Sequence, residues 1–85
     1  MKLQVHIPQY NSTQQRILNY LKAGVASGTR FFKAKYIANE LDISSSAVGI
    51  NLALLAEKCT ELEIVQWVYS TSTTWMIKLR SLFSN

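Results

Sequence analysis

Eighty-five residues leave room for one domain with a single modest core. With 48% hydrophobic and 16% charged residues the chain is globular in composition, and its net charge of +4 favours a polyanionic partner. One cysteine excludes an internal disulfide, one histidine with one cysteine cannot build a structural zinc site, and no apolar run approaches the ~18 residues of a membrane span.

Residues 1–10 include Pro8 and read as an arm or a short edge strand. Met1 to His6 mix polar with apolar residues and lack the apolar stretch of a secretion signal, so the expectation is a soluble cytoplasmic domain. That domain is expected over residues 11–80, with 81–85 as a tail. Ser12 and Gln15 have capping-box spacing and predict a helix start. Ile17, Leu18 and Leu21 follow at helical spacing, Gly24 is placed to end the helix in a left-handed turn, and Val25 to Arg30 read as a loop.

Phe31-Phe32 is too short for anything but an edge strand or a core plug. Ala34 to Leu41 predicts a short helix with Ile37, Ala38 and Leu41 inward, broken at Asp42. Ser44, Ser45 and Ser46 are N-cap candidates for a third, longer helix reaching Lys58. Glu63 to Tyr69 is rich in branched and aromatic residues and predicts a strand. After a polar turn at Ser70 to Thr73, Thr74 to Leu79 alternates, with Trp75, Ile77 and Leu79 on one face, which predicts an antiparallel hairpin.

Val48, Leu52, Leu55 and Cys59 step by four, three and four, forming one apolar stripe on the third helix. This stripe can seat on Ile37, Leu41 and Ile43 across a short turn, and on Ile17 and Leu21 of the first helix. Two helices joined in this way, followed by a hairpin, have the order of a helix-turn-helix with a wing. Here the chain resembles the winged helix-turn-helix family, in particular its small stand-alone archaeal versions. The matching residues are Tyr36 to Ser44, Ser45 to Leu55 and Ile64 to Leu79. Asp42 stands where the family often has glycine, and Asp tolerates left-handed geometry better than most residues.

The resemblance implies an α+β, mainly helical fold, and duplex DNA binding of a transcription-regulator type, with the third helix in the major groove and the hairpin on the backbone. Positive charge is densest at Arg30, Lys33 and Lys35, and free amides and hydroxyls at Ser44, Ser45 and Ser46 suit phosphate. The expected DNA contacts are these six residues with Asn51, the wing hydroxyls of Ser72 and Thr73, and Lys78. Opposite the core stripe lie Ser46, Gly49, Ile50, Ala53 and Glu57, none of them a guanine reader, so sequence discrimination is expected to be weak.

A competing reading follows from that same face. Gly49, Ile50 and Ala53 would suit a protein partner or a second copy of the chain. Gly49 is read as allowing close approach, either by a partner or through crowding by Phe31 or Phe32, and Leu54 as packing on the hairpin through Trp67 or Trp75. Trp67, Tyr69 and Trp75 are core residues in one reading and a base-stacking platform in the other. Cys59 falls on the core stripe and His6 in the arm, with no acid, base or metal partner in sight, so no enzyme, metal or cofactor is expected. No motif for a small-molecule ligand is present either.

Overall fold

The computed structural model describes residues 9–69 and 72–80. The expected arm (apart from Gln9 and Tyr10), the turn residues Ser70 and Thr71, and the tail lie outside the described residues. Helix α1 spans Ser12–Ala26, and its cap lies one residue before the expected one. Asn11 is the N-cap: its Oδ1 accepts from the Gln14 amide at 2.8 Å, while Gln14 Oε1 accepts from the Asn11 amide at 3.2 Å. An asparagine amide accepts as well as a serine hydroxyl does, so the reciprocal box forms on Asn11 and Gln14 instead of Ser12 and Gln15.

The end of α1 also differs from expectation. Gly24 stays inside the helix, and the left-handed residue is Gly28 at φ +98°. The Thr29 amide donates to the Gly24 carbonyl at 2.9 Å and the Gly28 amide to the Val25 carbonyl at 2.9 Å, the two bonds of a Schellman stop. Gly24 serves packing instead. A Cβ there would stand 2.7 Å from the Phe32 ring, so only glycine lets that ring lie against the helix.

Strand β1 (Phe31–Lys33) combines both readings of the aromatic pair: it is an edge strand, with Phe32 buried as a plug and Phe31 half exposed. Helix α2 (Ala34–Leu41) follows at once, burying Ile37 and Ala38 and part of Leu41. It ends on Asp42 at φ 58°, ψ 48°, the left-handed site foreseen for this residue, where the Ile43 amide reaches back to the Ala38 carbonyl at 3.0 Å. Ser44 then caps α3 (Ser45–Lys58), its Oγ accepting from the Ala47 amide at 3.0 Å.

Strands β2 (Leu62–Tyr69) and β3 (Ser72–Leu79) form the hairpin, and β1 joins the free side of β3, giving an antiparallel sheet of order β1-β3-β2. Both hairpin strands start earlier than expected, because Leu62 and Ser72 find backbone partners in Leu79 and Tyr69. The register places Phe32, Trp75, Ile77, Ile64 and Leu62 on one face, where all are buried. Leu79 shares that alternation but, as the last residue of β3, is 67% exposed. Thr74, on the outer face, is buried between its register partners Lys33 and Trp67.

Among the described residues the chain is thus α+β and mainly helical, with three helices covering one face of a three-stranded sheet. The predicted stripe of Val48, Leu52, Leu55 and Cys59 is buried along its length and shares a core with Ile17, Leu18, Leu21 and Ile37. Cys59 is a buried free thiol whose Sγ accepts from the Leu62 amide at 3.4 Å. No helix among the described residues is long and apolar enough to cross a membrane.

Candidate nucleic-acid interface

With one side of α3 in the core, the rest of its surface divides into three strips of different chemistry. The first turn carries Ser45 and Ser46, both exposed, beyond the Ser44 cap. A second strip, Ser45, Gly49 and Ala53, borders a cleft of about 260 Å³ shared with Ala34, Gln66 and Trp75. The third, Ile50 and Leu54, points to solvent with 62% and 48% of each residue exposed.

Trp75 and Gln66 of the sheet thus face the small residues of α3 across this cleft, while Leu54, expected to be covered by the hairpin, is nearly half exposed. Trp75 reaches the cleft of Gly49 and Ala53, one helical strip away from Leu54. Gly49 is not crowded by Phe31 or Phe32 either; nothing lies within 4 Å of a Cβ built there. The glycine that the Phe32 ring does crowd is Gly24.

At the α2–α3 turn, Lys35 and Asn39 of α2, Asp42 of the turn, the Ser44 cap and Ser45 of α3 line one polar depression of about 360 Å³. Lys35 Nζ also stands 5.3 Å from the centroid of the Tyr36 ring, a cation–π contact. The Ser45 and Ser46 amides belong to the helix's unpaired first turn, so the depression offers an ammonium, hydroxyls and helix-end donors together, with the Asp42 carboxylate as the one opposing charge on its lining. Asn39 was not among the expected contacts. Its position four residues after Lys35 puts both on one side of a helix, and that spacing was the available signal.

The other expected contacts are more dispersed. Lys33 stands at the N-cap of α2 and faces a different concavity from Lys35. Arg30 is exposed three residues back along the chain, ~10 Å away at the rise of a strand. Lys78 is cross-strand from Glu63 and 3.6 Å from its carboxylate, which offsets its charge. Ser72 and Thr73 begin β3, and their side chains lie outside those described.

Asn51 is corrected most clearly. Its Oδ1 accepts from Gln14 Nε2 at 3.1 Å and its Nδ2 donates to the Ala47 carbonyl at 2.8 Å, so a half-buried amide ties α3 to α1 instead of facing a groove. Trp75 is buried in the core. Trp67 lies on the outer sheet face in edge-on contact with Phe31, ring centroids 5.4 Å apart. Trp67 and Trp75 do not form a joint platform, since they occupy opposite faces of the sheet; the Tyr69 side chain lies outside those described. Among the described residues no group of three or more His, Cys, Asp or Glu side chains is placed to hold a metal ion.

A family model described as a domain of unknown function (DUF7123) matches residues 1–79. No curated protein and no solved structure matches the chain.

Proposed function

The chain belongs to the DUF7123 family, and we propose that it is a winged helix-turn-helix protein that holds duplex DNA by its phosphates. In this reading α2, the Asp42 turn and α3 are the helix-turn-helix, and the β2–β3 hairpin is the wing. The observation that carries it is the shared depression of Lys35, Asn39, Ser44 and Ser45, in which the donors outnumber the single carboxylate of Asp42. A phosphate there meets a positive charge, amide and hydroxyl donors, and the positive end of the α3 dipole. Lys33, on the opposite side of the first turn of α2, supplies a second point charge to a neighbouring phosphate.

Bases are read poorly in this arrangement. Past the first turn, the outward residues are Gly49, Ile50, Ala53, Leu54 and Glu57, and none offers the bidentate donors that identify guanine or adenine. Glu57 repels the backbone, so the helix tip, not its length, approaches the duplex. The biological role this fits is a transcription regulator with modest sequence preference.

Fluorescence anisotropy with a labelled duplex at two salt concentrations tests the proposal. With about three phosphates neutralised, affinity falls roughly 40-fold between 50 and 200 mM salt. Absence of binding at 50 mM salt removes the reading.

A second reading is favoured by the exposure of Ile50 and Leu54: a docking face on α3 for a protein or a second copy of the chain. Gly49→Arg separates the two. The open space around Gly49 accommodates the side chain, and the new charge tightens duplex binding under the first reading. Under the second it disrupts the docking face, and sedimentation shows the loss of the associated species.

A further inference from the structure

A cavity of about 480 Å³ opens between the second half of α1, the β1 strand and the start of α2, away from the α2–α3 depression. We infer that it is a binding site for a small aromatic carboxylate. Phe32 and Ile37 contribute to it from the core, and Tyr20 of α1 and Tyr36 of α2 add aromatic surface. Tyr20 meets Phe32 edge to face, centroids 6.2 Å apart at 68°. Gly24 helps define the space: the Phe32 ring packs against the bare helix backbone there.

Three observations select the ligand. The volume lies within the ~300–1,000 Å³ of small-molecule sites. The aromatic lining favours a flat ring, which packs offset or edge-on against phenol and phenyl groups. The charge is one-sided: Lys33 lines the cavity, no acidic residue does, and Lys33 has no ion pair among the described residues. An ammonium beside an apolar wall interacts more strongly with a carboxylate than one surrounded by water. The cavity lies apart from the depression at Lys35, but it shares Lys33 with the proposed phosphate contacts, so the ligand and a phosphate would compete for that one ammonium.

The test titrates 1-naphthoate into the ¹⁵N-labelled full chain and follows amide shifts, with the neutral 1-naphthamide as its isosteric control. Two variants accompany the wild type. Lys33→Gln removes the charge, and Ala23→Leu, at an exposed helical position lining the cavity, occupies its space. The expected result is saturable shifts confined to α1 after Tyr20, β1 and the first turns of α2, with naphthamide at least fivefold weaker. Lys33→Gln lowers naphthoate affinity at least fivefold while leaving naphthamide unchanged. Ala23→Leu weakens both at least tenfold with its cooperative melt retained. The inference is overturned by any of three outcomes: no saturable shift at millimolar naphthoate, equal affinity of wild type for acid and amide, or naphthoate binding indifferent to Lys33→Gln. The comparison of acid with amide needs no variant, so a misfolded Ala23→Leu does not protect the inference.

Discussion

The first turn of α3 and the outward middle of the same helix are adjoining surfaces with opposite chemistry. The first has serines beside Lys35 and Asn39; the second has Ile50 and Leu54 bare to solvent, with Glu57 beyond. One helix thus presents a tip suited to phosphate and a flank suited to nothing polar. The difference teaches that, under the proposed reading, contacts that position a duplex and contacts that read its bases would fall on different turns of one helix, and only the first kind has suitable side chains.

Both surfaces depend on how α3 is seated, so the strongest way to break the comparison is to unseat it. Leu52 is fully buried at the middle of the stripe, and Leu52→Ala is expected to cost ~3 kcal/mol in urea unfolding through lost burial and the cavity left behind. A loss below about 1 kcal/mol would mean the helix is held by something other than its core stripe. At the tip, Ser44→Ala removes the cap on the Ala47 amide and is expected to cost ~1 kcal/mol, while disturbing the phosphate donors next to it. On the strip facing the sheet the sign reverses. Gly49→Ala meets open space and adds helix propensity, so a gain of ~1 kcal/mol is expected in the same assay. A loss would reveal that the cleft with Trp75 closes on that glycine. The smallest effect belongs to the flank: Ile50→Ser is expected to change stability by no more than ~0.5 kcal/mol and to leave duplex binding unaltered. A large loss of self-association on that change would instead favour the docking reading.

Local periodicity made much of this legible in the sequence. The stripe from Val48 to Cys59, the bounds of α2 and the left-handed Asp42 each follow from residues within one or two turns of each other. What escaped depended on distant chain. Gly24 looked like a helix stop because its real neighbour, Phe32, is eight residues away in a strand. Asn51 looked available because Gln14, its partner, lies 37 residues upstream. Leu54 is nearly half exposed, and the cleft with Trp75 runs along Gly49 and Ala53 instead, a placement that local spacing on α3 could not supply. The aromatic cavity was equally invisible: residues from two helices and two strands compose it, and no motif joins them.

The slope of log affinity against log salt for one duplex, measured for the wild type and for Lys35→Gln, bears most directly on the phosphate contact. The account predicts a wild-type slope near −2.7 that becomes shallower by about 0.9 when the Lys35 charge is removed. Identical slopes for the two proteins, or no duplex binding by the wild type at low salt, would contradict it.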